Sequence, residues 1–179
     1  MKNTILLFAF LLTSIGFAQD KIVTKNGKVT FEASVPAFEE VKAKNDGVTC
    51  IINTKTGEIA SLTMIKGFRF KTALMEEHFN ENYMESDKYP KATFKGKIEN
   101  FDMTKVTAEA KEYTIKGKME MHGKTKDIII KATLKKAGDG LTLLSNFTVN
   151  TDDYGIEIPS VVSKKVSKKV TVTLDFTMK

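Results

Sequence analysis

The amino-acid sequence predicts an all-β fold in which about eight antiparallel strands close into a barrel, accompanied by one short amphipathic helix. Three observations lead to this prediction. Apolar and polar residues alternate over most of the chain beyond residue 20, the turns between alternating runs are short and contain glycine, and a single segment departs from the period of two. Such alternation is typical of a strand with one buried face.

The composition is that of an ordinary globular chain with one domain. It has 179 residues, of which 41% are hydrophobic and 28% charged, and its net charge is +6. This modest excess of bases does not require a nucleic-acid partner, and we expect none. Cys50 is the single cysteine, so an internal disulfide is excluded. Its apolar neighbours predict a buried, unreactive thiol.

The first 18 residues have the pattern of a secretory signal peptide. Lys2 supplies a positive charge, residues 5–12 are apolar, and Gly16 and Ala18 are the small residues of a cleavage site. The apolar run is shorter than the ~20 residues of a membrane-spanning helix. We therefore expect residues 1–18 to be removed and residues 19–179 to form one domain that is periplasmic or secreted. Cys50 lies far from the new N-terminus, so a lipoprotein is not expected.

The N-terminal half contains four alternating runs. They cover residues 29–33, 48–52, 60–64 and 92–98, with a turn at residues 54–57. In the third run we predict Ala60, Leu62 and Met64 on the inward face. The stretch 36–44 has no clear pattern and is left unassigned.

One segment has the period of a helix. From Thr72 to Met84 the apolar residues Met75, Phe79 and Tyr83 recur every four positions, and Thr72 is a suitable N-cap. The segment ends before the turn at residues 86–90. We predict a short amphipathic helix that caps one mouth of the barrel.

The C-terminal half shows the clearest alternation, in residues 112–121, 128–134, 141–149 and 169–178. Short glycine-containing turns at residues 122–124 and 138–140 join the first three runs into an antiparallel meander. A long irregular stretch, residues 152–167, precedes the last run. All four runs are predicted to be half-buried strands.

Strand length favours a closed barrel, because runs of about ten residues exceed the usual length of strands in sandwiches. Two packed sheets remain compatible with the pattern alone. An eight-stranded interior is either filled by side chains or wide enough for one slender ligand. Six small residues at inward positions indicate a void, namely Gly96, Gly117, Ala60, Ala92, Ala132 and Ser145. Alternatively, large neighbours fill these gaps, among them Phe94, Phe147, Met119 and Met121.

Alternation does not by itself say which face is inside. An outer-membrane barrel would turn its apolar face to lipid and carry aromatic girdles. The sequence has no Trp and only 4 Tyr. Lysines in the middle of the runs, such as Lys95, Lys116 and Lys131, fit a solvated outer wall. We therefore predict that the apolar face points inward.

Four motifs, in register along nearly the whole mature chain, resemble those of the YceI-like proteins. The run 68–71 followed by Tyr89-Pro90 and Phe94 is similar to the family's "yP-x-x-x-F" core, and residues 117–126 resemble its "G-x-L-x-x-H-G-x-T-k" hairpin. Phe147 with residues 153–156 resembles its "F-x-x-x-R-x-D-F-G-I" turn. Two features depart from the pattern: Asn150 or Thr151 stands where many members carry Arg, and residues 76–82 form an acidic helix.

The resemblance, to a secreted member of the Bacteroidetes type, implies an extended lipocalin-like barrel. It also implies a ligand, which is a long apolar amphiphile such as a polyisoprenoid or fatty-acyl lipid. The predicted lining of this lipid site consists of Phe31, Leu62, Phe70, Phe94, Ile115, Met119, Ile130, Phe147, Val172 and Leu174. Arg69, Lys71 and Phe79 are predicted at the mouth or at the ligand's head group, with Lys164 and Lys165 as further cationic candidates.

Residues that would support catalysis or metal binding are scarce. Only two imidazoles occur, His78 and His122; Glu77 and Glu81 are badly spaced from His78 for a metal site, and His122 fits a turn. Neither a nucleophile elbow nor a phosphate-binding glycine loop is present. We expect no catalytic residue, metal or cofactor, and predict non-catalytic carriage or storage of a lipid.

Two other functions remain open at this stage. A barrel with a plugged core would serve a structural or protein-interaction role, and an uncharacterised enzyme is a further alternative. The basic pairs at residues 164–165 and 168–169 predict peripheral contact with anionic membrane surfaces. The sequence makes no prediction of oligomeric state.

Overall fold

The computed structural model describes residues 20–179, so the predicted signal peptide and its cleavage site lie outside the described residues. Nine strands form one antiparallel sheet. The strands are β1 (Lys21–Ser34), β2 (Lys42–Asn53), β3 (Glu58–Met64), β4 (Arg69–Phe70), β5 (Lys91–Ile98), β6 (Lys111–Met121), β7 (Lys124–Ala137), β8 (Gly140–Asn150) and β9 (Val166–Met178).

The sheet closes into an eight-stranded barrel. Its strand order is β1-β9-β8-β7-β6-β5-β3-β2, and β1 also pairs with β2 to complete the ring. The two-residue strand β4 pairs with the beginning of β2, where Ala43 lies opposite Phe70, so β3 and β4 share one position in the ring. The predicted barrel is confirmed, and the packed-sheet alternative is wrong.

Strand β1 begins eight residues before its predicted alternating run. Its pairing with β2 changes register between Thr24 and Gly27 and again between Gly27 and Val29. This bulge interrupts the alternation of apolar and polar residues, so the first part of the strand could not be predicted from the sequence. At Gly27 a side chain would lie 2.6 Å from the Phe176 ring, so the bulge makes room for a core aromatic residue.

The predicted helix is confirmed. Helix α1 (Ala73–His78) begins where the Thr72 hydroxyl accepts a hydrogen bond from the Met75 N–H at 3.3 Å. It continues as a π-helical turn over Phe79–Tyr83, in which the Met84 N–H donates to the Phe79 carbonyl at 2.9 Å. This segment, residues 73–83, contains no fully buried residue. No helix within residues 20–179 has the length and apolar content needed to cross a membrane.

The outer wall of the barrel is charged. Lys116, Lys118 and Lys131 are exposed and pair with Glu99, Asp127 and Glu112 at 2.6, 3.3 and 2.8 Å. The residues next to these lysines on the same strands, such as Ile115 and Ile130, are buried. The apolar face therefore points inward, as predicted.

One half of the interior is solid. The strand register brings the start of β1, the end of β2, the end of β7 and the start of β8 to the same end of the barrel. Large side chains that are at most 7% exposed fill this end. They are Ile22, Val48, Cys50, Ile52, Ile98, Leu134, Leu141, Phe176 and Met178. We call this half the plugged half.

Candidate functional site

The other half of the barrel is hollow. It contains a cavity of about 470 Å³ that opens at the end opposite the plugged half. Volumes of this order are typical of sites for small molecules and cofactors. Residues of β1 and β3–β9 form its wall, together with the segment 73–83 and the two long loops at the mouth.

Nine of the ten residues predicted as lining lie in this wall. They are Phe31, Phe70, Phe94, Ile115, Met119, Ile130, Phe147, Val172 and Leu174. Most of them come from strands in which apolar and polar residues alternate regularly, so the apolar positions of the pattern are the ones that point inward. Their position in the wall is observed, whereas their contact with a lipid remains a prediction.

The prediction for Leu62 is wrong. Its side chain is 38% exposed and lies on the outer wall, while Ile59, Ser61 and Thr63 line the cavity. The outer face of β3 is the more apolar one, since the inner face combines Ile59 with polar Ser61 and Thr63, so alternation alone predicts the wrong face. Burying Ile59 and Ile65, which are 6% and 1% exposed, sets the register of this stretch. Ala60 and Met64 consequently lie on the outer face with Leu62.

The glycines in β5 and β6 do not create the cavity. Gly96 and Gly117 lie directly opposite each other, and the Phe94 ring covers both. A Cβ atom placed on either one would lie 2.7 or 2.6 Å from Cζ of Phe94. At this position the alternative prediction, in which a large neighbour fills the gap, is correct. Of the six small residues predicted to leave space, Ala92 lies in the cavity wall.

The helical segment 73–83 closes one side of the mouth. Its residues Met75, Phe79 and Tyr83 face the cavity, as the four-residue spacing predicted, and Leu74 lines it as well. The Phe79 ring stacks on Phe31 at 5.2 Å between centroids. It also contacts the rings of Phe68 and Phe70 at 5.6 and 5.1 Å. This aromatic cluster attaches the segment to the barrel wall.

Two loops form the rest of the mouth. Residues 35–41 contribute Glu39 and Val41, and residues 155–165 contribute Ile156, Ile158, Val162 and Lys165. These apolar loop residues could not be predicted from the sequence, because irregular segments have no periodicity that marks an inward face. Apart from the Tyr83 hydroxyl, the polar residues of the wall are few, namely Glu39, Ser61, Thr63, His78, Thr93, Thr151, Lys165 and Ser167.

Of the four cations predicted at the mouth or the head group, Lys165 lines the cavity and Arg69, Lys71 and Lys164 do not. Arg69 Nη1 donates to Glu76 Oε1 at 2.8 Å and to the carbonyl oxygens of Lys66 and Phe68. It fastens α1 to the barrel and does not line the cavity. Lys71 is exposed and likewise absent from the wall. Lys165 is the candidate cation that does line the cavity, at the mouth.

His122 occupies a two-residue hairpin turn, as predicted. His122 and Gly123 connect β6 to β7 with φ values of +52° and +71°, the signs of a type I′ turn. The ring of His122 packs against Tyr89 at 4.6 Å between centroids. Its two nitrogens lie within hydrogen-bond distance of Glu85 and of the Tyr154 carbonyl. The ring therefore joins three segments that border the cavity.

Burial changes the acidity of two groups. The Cys50 thiol lies in the plugged half, and burial raises its pKa to about 12. Burial, and secondarily the negative charge of Asp153, raises the pKa of Tyr154 to about 12. Within residues 20–179, no three His, Cys, Asp or Glu side chains come together as metal ligands would.

Comparisons with known proteins agree with this architecture. The family described as the YceI-like domain matches residues 14–178. No curated protein matches the chain with significance. A solved polyisoprenoid-binding domain from Saccharophagus degradans, implicated in plant cell wall breakdown, superposes with a TM-score of 0.75 at 14% identity, covering 87% of this chain and 95% of that one.

Two further structures share the fold. Burkholderia cenocepacia BcnA superposes with a TM-score of 0.69 at 14% identity and covers 83% of this chain and 94% of its own. The Campylobacter jejuni YceI protein superposes with a TM-score of 0.63 at 15% identity, with coverages of 100% and 99%. At these identities the likeness concerns the fold.

Proposed function

This chain belongs to the YceI-like family, and from that premise we propose that it binds a long apolar amphiphile, such as a polyisoprenoid or fatty-acyl lipid, and carries or stores it without chemical change. The observation that carries the proposal is the cavity of about 470 Å³ with its largely apolar wall. The polyisoprenoid-binding domain with the same fold supports this ligand class.

Burial of the apolar chain alone is sufficient for binding. Some twenty buried carbons at ~0.8 kcal/mol each contribute about 16 kcal/mol before costs. Loss of translational freedom and ordering of the chain cost about 4–15 kcal/mol. A net gain remains without any ion pair, so polar groups select among ligands rather than hold them.

The plugged half sets the orientation of the ligand. Ile52, Leu134 and Met178 are each 0% exposed and close the barrel below the cavity. An amphiphile can therefore enter only from the mouth, with its apolar tail first. Its head group then lies at the mouth beside Lys165 and His78, with Glu39 on the neighbouring loop.

We propose binding rather than catalysis because the polar groups do not converge in the cavity. His122 does not line the cavity, since its ring contacts Glu85, Tyr89 and the Tyr154 carbonyl. His78 is exposed at the mouth. The wall around the predicted tail is formed mainly by aromatic and aliphatic side chains. Such a surface excludes water and offers an apolar chain no reacting group.

Export is the remaining part of the proposal. It rests on the sequence pattern of residues 1–18. The intact mass of the protein recovered from its native host should correspond to a chain that begins at Gln19. A full-length chain would contradict export by cleavage.

Native mass spectrometry after purification without detergent tests the binding proposal. We expect a fraction of the protein to carry an additional mass in the range of a polyisoprenoid or fatty-acyl lipid, and that mass to be lost on denaturation. A displacement titration with a fluorescent fatty acid extends the test to defined ligands. Protein that is empty in every preparation and binds none of the added lipids would contradict the proposal.

A further inference from the structure

Three exposed apolar side chains surround the mouth of the cavity. Phe38, Leu74 and Val161 are 47%, 59% and 87% exposed. Leu74 itself lines the cavity, while Phe38 and Val161 each precede a lining residue, Glu39 and Val162. The three therefore project from three different segments that border one opening. We call them the apolar rim.

The loop that carries Val161 has a second feature. Its sequence from Ile158 to Lys165 contains no acidic residue and ends in Lys164-Lys165. Among the described residues, no carboxylate lies within 4.0 Å of either ammonium group, whereas the nearby Lys168 pairs with Asp152 at 3.1 Å. This loop thus presents an exposed aliphatic side chain next to two cations that are free to bind anions.

We propose that the apolar rim docks on a lipid bilayer, with Val161 inserted at the level of the head groups and Lys164 and Lys165 bound to their phosphates. This inference rests on the proposed function and extends it to the source of the ligand. An apolar chain that passes directly from the bilayer into the mouth never has to cross water. The free-energy cost of that crossing rises with each methylene exposed to water, and this route avoids it.

The chemistry of the rim favours a bilayer over a second copy of the chain. A symmetric pair would bring Lys164 and Lys165 of both copies into one interface, where like charges repel. Anionic head groups instead attract them, and apolar side chains on three separate segments can each enter the disordered head-group region. Glu39 and Glu40 lie on the segment of Phe38, and Glu77 and Glu81 lie on the segment of Leu74, so the attraction comes from residues 158–165.

A matched control lies on the outer wall. Ile129 is 68% exposed, and its cross-strand neighbour is Lys116. It is as apolar as Val161 and well exposed, but it lies on the side of the barrel and does not line the cavity. A bilayer that binds the mouth should affect a probe at Val161 and leave a probe at Ile129 in water.

The sequence contains no Trp, so a Trp introduced at either position reports the environment of that position alone. In Val161→Trp or Ile129→Trp the new indole is the only one in the protein. On adding vesicles of phosphatidylcholine and phosphatidylglycerol, we expect the emission of Val161→Trp to shift to the blue and to be quenched by brominated acyl chains. The emission of Ile129→Trp should stay unchanged. An unchanged Val161→Trp, or an equal response from both variants, would overturn the proposal.

Sedimentation with vesicles measures the contribution of each group. Val161→Asp should lower the vesicle-bound fraction roughly ten-fold, and Ile129→Asp should leave it unchanged. Lys164→Gln should weaken binding roughly five-fold on vesicles with phosphatidylglycerol and little on pure phosphatidylcholine. If the emission of Val161→Trp instead shifts with protein concentration in the absence of vesicles, the rim pairs with a second copy and the proposal is wrong.

Failure of this inference can be told apart from failure of the proposed function. Titration of Val161→Asp with a fluorescent fatty acid in solution should give the same affinity as the unmodified protein, because Val161 does not line the cavity. If lipids bind in solution but vesicles do not, only the docking proposal fails. If vesicles bind but no lipid enters the cavity, docking stands and the proposed function fails.

Discussion

Nε2 of His122 lies 2.9 Å from Glu85 Oε2, while Nδ1 of the same ring lies 3.1 Å from the carbonyl oxygen of Tyr154. Both partner atoms are acceptors, and a neutral imidazole has a single N–H. Both bonds therefore require an additional proton, on the imidazole or on the carboxyl. This contact ties the hairpin between β6 and β7 to the end of the helical segment and to the 3₁₀ turn Thr151–Tyr154.

Loss of this contact should destabilise the mouth. We expect His122→Asn, which tolerates the positive φ at this position, to lower the free energy of unfolding by about 1–3 kcal/mol, because the Glu85 carboxylate and the Tyr154 carbonyl lose their donor. Urea titration measures the change, and hydrogen exchange should show faster opening around residues 84–90. His78→Asn, at the exposed imidazole, is the control and should have little effect. Equal stabilities for the two variants would contradict the role of His122.

The size of the cavity should limit ligand binding. Ala92→Phe adds a ring inside the wall and should weaken binding of a fluorescent fatty acid by about ten-fold or more, since overpacking leaves less room for the chain. Leu62→Phe is the matched control, because Leu62 lies on the outer face of the adjacent strand β3. Reduced affinity in Leu62→Phe, with Ala92→Phe unaffected, would place the ligand outside the barrel.

The paired glycines should be intolerant of a side chain. A Cβ on Gly117 would lie 2.5 Å from the Lys95 carbonyl oxygen and 2.6 Å from Phe94. We expect Gly117→Ala to cost about 1–3 kcal/mol in urea-induced unfolding. At Gly47 the nearest atom would be 3.6 Å away, so Gly47→Ala should change stability by less than about 0.5 kcal/mol. A neutral Gly117→Ala would show that Phe94 moves aside easily.

The Cys50 thiol should be inert in the folded protein. Burial raises its pKa from 9.0 to about 12, so the reactive thiolate is scarce at pH 8, and the plugged half also excludes the reagent. A disulfide reagent such as Ellman's should react within minutes in urea and negligibly without it. Because the folded pKa is the higher one, burial of the neutral thiol contributes stability below pH 9 that is lost as the pH rises towards 12. Rapid reaction of the native protein would contradict this assignment.

Ionisation of the Tyr154 hydroxyl should lower the free energy of unfolding at high pH. Its pKa is raised from 10.0 to about 12, so its contribution to folding is complete below pH 10 and is lost as the pH rises towards 12. Tyr154→Phe keeps the ring without the ionisable hydroxyl. Urea titrations across this range should show a smaller loss of stability for Tyr154→Phe than for the unmodified protein. Parallel curves would show that Tyr154 ionises as easily when folded as when unfolded.

Much of the fold follows from local pattern. The period of two predicted the strands of the C-terminal half and the inward direction of Ile115, Phe147 and Val172. The four-residue spacing of Met75, Phe79 and Tyr83 predicted a helix whose apolar side meets the cavity. Prediction failed at Leu62, because the more apolar face of β3 points outward and the inner face carries Ser61 and Thr63. The sequence also does not show that Glu76 lies near enough to bind the guanidinium of Arg69.

The sequence by itself determined most of the strands, the start of the helix and, for most strands, which face avoids water, because these choices depend on neighbours two to four residues apart. Only the tertiary structure decided that one half of the barrel is solid and the other hollow. Ile52, Ile98, Leu134 and Met178 come from four strands, and the cross-strand register brings them to one end. In the hollow half the inward side chains are just as apolar, but those on opposite walls are too far apart to touch. The distance between opposite walls is set by how the sheet closes, and no short stretch of sequence shows it.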